Sequence, residues 1–276
     1  MFGGAAMINN RLTYFQDVYE WDPAGWVEIK ADGPGPRNAA PLVYDPIRKL
    51  TLLFGGVFEN TEGFKIYFDV WGWNGRKWKL INTQCPVKEP TAVYDTHNKR
   101  VLVYGEVTNK TSLTYEGPRE FELWEFKLDN WKKLSTEGPD VYSALTFDED
   151  RNALITTALE DDPLTVWEWT PNEWKKITCA SDCPVERSRQ ALAYHPGLKA
   201  TCMFGGRDSD RVYLDDFWKW DGSRWTQITS GEVPDRRASA HLIYIDNALI
   251  LYGGSLKGRL SNELWSWKDN VWRTLK

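Results

Sequence analysis

One spacing dominates this chain: six times over, a tryptophan stands seven residues after an aromatic anchor. The anchors are Tyr19, Trp71, Trp124, Trp167, Trp218 and Trp265, and the tryptophans that follow are Trp26, Trp78, Trp131, Trp174, Trp225 and Trp272. Two residues after each anchor comes another aromatic, and three after each later tryptophan comes Ile or Leu. All sixteen tryptophans are accounted for in this way, so they belong to a repeated unit rather than to one ligand pocket. Aromatics at i and i+2 share one face of a β-strand, because side chains alternate with period two.

The segments between the paired aromatics carry turn residues, among them Asn74-Gly75, Asp129-Asn130, Asp221-Gly222 and Asp269-Asn270. Upstream of the anchor lies an apolar strand ending in paired glycines at Gly3-Gly4, Gly55-Gly56, Gly205-Gly206 and Gly253-Gly254. The third unit keeps only Gly105, and the fourth has Ala158-Leu159. Glycine pairs let neighbouring backbone approach closely. Before that strand comes a further one, ending at Asp45, Asp95, Asp148, His195 and Ile245. One unit is therefore four short strands in about 50 residues.

With the leading arginines Arg37, Arg187 and Arg237, the glycine pairs and the spaced aromatics, the units resemble the kelch motif over essentially the whole chain. The resemblance implies an all-β fold, a six-bladed kelch-type β-propeller in one domain. Its repeats run over about 1–30, 31–82, 83–135, 136–178, 179–229 and 230–276. Stacked blades bury both faces of each sheet, with the indoles as packing between them. The first blade lacks its innermost strand. It either stands with three strands, belongs to a chain cut from a longer parent, or is completed by another molecule.

A net charge of −5 speaks against nucleic-acid binding, and no apolar run is long enough for a membrane helix. Without a signal-peptide pattern at the N-terminus, the expected location is the cytoplasm, with reduced cysteines. Cys202 reads as a buried thiol. Cys179 and Cys183 can pair under oxidising conditions, but their spacing is not that of a C-x-x-C motif. Lysines beside the last tryptophan of a unit (Lys77, Lys79, Lys132, Lys133, Lys175, Lys176) guard an exposed strand edge.

Chain direction puts the connection after the glycine pair and the connection between blades at one rim, the short turns at the other. The first kind holds the long, irregular, polar loops, Val57 to Lys65, Glu106 to Glu120, Arg207 to Arg211 and Ser255 to Arg259. Binding residues concentrate on such loops. The candidate ligand-binding residues are Arg37, Arg187, Arg207, Arg237, Tyr142 and Asp208, a cationic mouth suited to a carboxylate-bearing peptide or a small acidic molecule. The arginines have a second reading, hydrogen bonds to neighbouring loop carbonyls. Asp216 sits in an acidic slot two before the anchor, as do Asp17, Asp69, Glu122 and Glu263, and the Asp208–Asp216 stretch reads as a solvated loop.

The three histidines do not gather into a metal site, and no P-loop, nucleophile elbow or zincin motif is present. No catalytic residue, metal or cofactor is expected. The expected partner is a protein or peptide, acidic in character, and neither nucleic acid nor membrane. The alternative is a propeller enzyme acting on glycans or using a metal at the same rim.

Overall fold

The computed structural model describes residues 1–22, 24–61, 63–107, 119–140, 144–158, 164–171 and 173–275. Every regular element among them is a β-strand, and no helix long and apolar enough to cross a membrane occurs there. The contacts divide the chain into Met1–Gly138 and Pro139–Lys276.

The N-terminal unit holds three antiparallel sheets. The first has three strands in the order β1 (Phe2–Ile8), β2 (Arg11–Asp22), β3 (Gly25–Ile29). In the second, β4 (Leu42–Asp45), β5 (Leu50–Phe54), β8 (Val70–Trp73) and β9 (Trp78–Asn82) are neighbours in that order. Between β5 and β8 a two-stranded ribbon is inserted, β6 (Val57–Asn60) and β7 (Gly63–Ile66). The third sheet runs β10 (Lys88–Asp95), β11 (Arg100–Glu106), β12 (Phe121–Lys127), β13 (Asn130–Ser135).

The C-terminal unit repeats the plan. Its sheets are β14 (Thr146–Asp148), β15 (Ala153–Ala158), β16 (Thr165–Thr170), β17 (Glu173–Thr178), then β18 (Ala191–His195), β19 (Ala200–Arg207), β20 (Tyr213–Trp220), β21 (Trp225–Gln227). The last combines β22 (His241–Ile245), β23 (Ala248–Tyr252), β26 (Leu264–Lys268) and β27 (Val271–Leu275), with a small ribbon β24 (Ser255–Leu256) and β25 (Arg259–Leu260). Two loops expected to be irregular are thus partly paired strands, because the residues past the glycine pair fold back on themselves.

The tryptophans pack one sheet on the next within each unit. Trp73 and Trp78 of the second sheet enclose Val18 and Phe2 of the first, and Trp131 and Phe126 of the third lie edge-on to Phe54 of the second. Trp220 and Trp225 cover Ala153 and Ile155, while Trp267 and Trp272 meet Phe217 edge-on. Truncating such a ring to alanine costs on the order of 3–5 kcal/mol. The indole N–H groups of Trp78, Trp131, Trp225 and Trp272 meet no acceptor among the described residues, so these four rings act there through packing.

The glycine pairs repeat one backbone shape, φ near +60° then near +100°: Gly205 has 62° and Gly206 104°. A Cβ on Gly205 would lie 2.6 Å from the Arg237 carbonyl oxygen, so the pair is demanded by both conformation and contact. At the opposite strand ends, the carboxylates of Asp45, Asp95 and Asp148 accept turn N–H groups, from Arg48, Asn98 and Arg151 respectively. His195 does the same with Nδ1, taking the Leu198 N–H at 3.2 Å, and burial lowers its pKa. The lysine-bearing strands β9, β13 and β17 are sheet edges. Cys85 and Cys202 are buried thiols pushed up to about 12, whereas Cys179 and Cys183 form a disulfide rather than the expected thiol pair.

Candidate functional site

Three of the candidate arginines sit inside the protein. Arg37, Arg187 and Arg237 are almost wholly inaccessible, at 1%, 0% and 1% exposure. Each makes the same set of bonds. Nε donates to the carbonyl two residues back, at Gly35, Val185 and Asp235. Nη1 donates to the first glycine of the pair in its own sheet, Gly55, Gly205 and Gly253. The guanidinium then meets a carboxylate: Asp69 at 2.6 and 3.2 Å, Asp216 at 2.5 and 2.8 Å, Glu263 at 2.6 Å. That carboxylate is the acidic slot two before the anchor, and the anchor's indole donates to it as well, from Trp71, Trp218 and Trp265.

The main chain of the same arginine reaches the preceding sheet. Gly4 and Gly206 donate their N–H to the carbonyls of Arg37 and Arg237, and those arginines donate theirs to Phe15 and Leu214. One residue thus ties two sheets, by backbone to one and by side chain to the other. The second sequence reading describes these three: the arginines bond loop carbonyls, and their charge is matched by an internal acid instead of being presented at a mouth. The sequence also showed the acidic slot, but Asp216 is paired with Arg187 rather than solvated.

The remaining candidates lie elsewhere. Asp208 closes a turn, its carboxylate accepting the Val212 N–H at 2.8 Å and its carbonyl the Arg211 N–H. Tyr142 lies outside the described residues. Arg207 is half-exposed at the end of β19, where its backbone exchanges hydrogen bonds with Ser188.

Around Arg207 a cluster forms that the sequence reading did not assemble. The Arg207 guanidinium carbon is 6.0 Å from the Tyr213 ring centroid, and the Tyr213 hydroxyl lies 3.3 Å from Ser255 Oγ of β24. Arg189 stands exposed in a left-handed turn (φ 59°), its carbonyl accepting the Ser239 N–H at 2.7 Å. The hydrogen bond with Ser255, then the charges of Arg207 and Arg189, draw the Tyr213 phenol below its ordinary pKa. Neither Arg189 nor Arg207 forms an ion pair with a described residue. The cluster joins the loop ends of two neighbouring sheets, so strands distant in sequence supply its members.

No His, Cys, Asp and Glu group able to hold a metal occurs among the described residues. No family model matches the chain. An 89-residue stretch, 31% of the chain, is 29% identical to the Dynein regulatory complex subunit 7 of Chlamydomonas reinhardtii, and it covers 8% of that protein's length. Against the solved structure of YjhT, a kelch-type β-propeller protein, the chain superposes with a TM-score of 0.68 over 99% of its length and 97% of YjhT's. The fold is a β-propeller. At 18% identity the likeness carries the propeller scaffold and nothing of its chemistry.

Proposed function

We propose that this propeller is six-bladed and kelch-type, and that it is a binding module for an acidic ligand, a carboxylate-bearing protein segment or small molecule. The ligand docks on the loop rim of the fifth and sixth sheets. One observation carries the reading: the Arg207 guanidinium stands 6.0 Å from the centroid of the Tyr213 ring, whose hydroxyl lies 3.3 Å from Ser255 Oγ, with no described acid paired to Arg207. The Tyr213 phenol is drawn below its ordinary pKa chiefly by the Ser255 hydrogen bond, and the charges of Arg207 and Arg189 add to it. Arg207 and Arg189 suit a carboxylate, which a guanidinium binds through two parallel N–H donors, and Tyr213 adds an O–H donor. Arg187 and Arg237 serve this site by fixing the loops rather than by touching ligand. Their fixed backbone lowers the ordering cost of binding.

Calorimetric titration with a glutamate-rich peptide tests it. Arg207→Ala and Arg189→Ala each weaken binding about tenfold, the loss of a charge-assisted hydrogen bond. Added salt weakens the wild type further, since exposed charges are screened. Unchanged affinity in the Arg189→Ala/Arg207→Ala variant, with its strand spectrum intact, would overturn the assignment.

A further inference from the structure

The bridged pair Cys179 and Cys183 lies in the connection between β17 and β18, its members only four residues apart in sequence. A disulfide stabilises chiefly by closing a loop of the unfolded chain, and the gain shrinks as that loop shortens. This bond is therefore a weak staple. Its two sulfurs also differ in their surroundings. Cys179 is 8% exposed and belongs to a buried cluster with Ala153, Leu164 and Trp225, whereas Cys183 packs against that cluster and is only half-buried.

Cys183 opens onto a cavity, and Cys179 does not line it. The cavity holds about 540 Å³ within the C-terminal unit, inside the range of small-molecule sites, roughly 300–1,000 Å³. Asp182 and Cys183 line it from the bridged loop; Trp218, Arg224, Trp225 and Gln227 line it from β20, β21 and their turn. Arg224 brings a cation that is 78% exposed and loosely held, 3.6 Å from Asp221. Asp182 brings an exposed carboxylate at a left-handed φ of 52°. Gln227 adds an amide that both donates and accepts, and the two indoles give apolar wall.

We propose that the Cys179–Cys183 bond is a thiol-exchange site, and that the cavity takes a small peptide thiol carrying an ammonium and a carboxylate. Arg224 binds the carboxylate, Asp182 the ammonium and Gln227 the peptide group, which brings the ligand's sulfur to Cys183. None of Arg189, Arg207, Tyr213 and Ser255 lines this cavity, so the site does not depend on the acidic-ligand reading.

The ligand's thiol gives its proton to water and attacks Cys183 Sγ as the thiolate. A bond forms between the ligand's sulfur and Cys183 while the Cys179–Cys183 bond breaks. The electron pair of the broken bond leaves with Cys179, which takes up a proton. The ligand's sulfur is oxidised and Cys179 reduced; a mixed disulfide replaces an internal one, and no further oxidant is needed. Access decides for Cys183 over the buried Cys179. The freed Cys179 thiol has an acceptor in place, the Ser181 carbonyl oxygen 3.5 Å from its Sγ.

The probe is reduced glutathione, added to the full chain, with the reaction stopped by N-ethylmaleimide and read by mass spectrometry. Fragmentation of the tryptic peptide 177–187 is expected to show one glutathione on Cys183 and one maleimide on Cys179. Each rate of opening is divided by the same thiol's rate on the urea-unfolded chain, which removes its intrinsic reactivity. On that scale glutathione reacts about tenfold faster than 2-mercaptoethanol, a thiol without charge, and Arg224→Ala removes the advantage. The 2-mercaptoethanol rate stays unchanged in Arg224→Ala, which separates loss of ligand binding from a disturbed fold. No adduct, glutathione on Cys179, or equal scaled rates for the two thiols overturns the proposal. Equal slowing of both thiols by Arg224→Ala, or of neither, overturns it too.

Discussion

The second, fifth and sixth sheets carry an arginine clasp, and the third and fourth do without one. Eight residues before the end of the leading strand stand Arg37, Arg187 and Arg237 in the first group, but Val87 and Asp140 in the second. The acidic slot changes in step. In the third sheet Glu122 remains, and its charge is met from another direction, by Lys133 of the outer strand at 2.5 Å and by the Trp124 indole at 2.8 Å. In the fourth sheet the slot holds Thr165, neutral and buried. Among the described residues, Asp69, Glu122, Asp216 and Glu263 each form an ion pair from that slot. The difference teaches that the clasp is a joint between strands, replaceable as a set and costly to break singly. A buried ion pair with one member removed leaves the other desolvated and unmatched.

The largest effect expected is therefore from Arg187→Ala. It strands Asp216 and the Gly205 carbonyl, both otherwise bonded to the guanidinium. The loss is about 3 kcal/mol, the lower end for such pairs because Asp216 retains some solvent contact. Urea denaturation of the C-terminal half's tryptophan fluorescence measures it. The double variant Arg187→Val/Asp216→Thr copies the residues of the unclasped sheets and recovers most of that loss. If it stays as unstable as Arg187→Ala, the slots are not interchangeable and the comparison breaks.

Much of this was legible in the sequence, and the reason is periodicity. Trp78 and Trp225 announce their strands because packing between sheets imposes the same ring at the same register each time. The arginine–acid partnership was harder to see, although both members were visible. Arg37 and Asp69 lie 32 residues apart, Arg187 and Asp216 29, Arg237 and Glu263 26, since ribbons and loops of different length intervene. No fixed offset betrays them. The signal was the joint absence of arginine and acid from the fourth unit. The Tyr213 cluster left still less trace: Arg189, Arg207 and Ser255 come from separate connections, and only the docking of one sheet on the next brings them together. The ribbon at Val57–Ile66 was hidden because its strands are only four residues each, too short for a clear alternation to show.

A smaller effect is expected at Glu122 in the third sheet. Its lysine is 42% exposed, so much of the attraction is screened by water. Glu122→Gln keeps the indole acceptor and loses the charge, and its cost is about 1 kcal/mol by the same denaturation measurement. A loss as large as that of Arg187→Ala would mean that lysine from the outer strand makes as strong a joint as the arginine clasp. The two classes of sheet would then differ in geometry alone.

The smallest effect separates the clasped from the unclasped sheets by pH. The Glu263 carboxyl is held below its ordinary 4.5, first by the Arg237 hydrogen bond and then, against some desolvation, by the Trp265 indole. The unfolded chain therefore binds this proton more tightly than the folded one. The stability that Glu263 contributes is complete above about pH 4.5 and is lost as the pH falls through the depressed folded value. Urea midpoints of the wild type and Glu263→Gln, taken stepwise from about pH 6 to about pH 3, should converge below that point. Thr165→Val, at the corresponding place in the fourth sheet, has no proton to exchange and should differ from wild type by the same amount throughout. Parallel curves for both variants would show that Arg237 is held by the carbonyls of Asp235 and Gly253, with the carboxylate adding nothing.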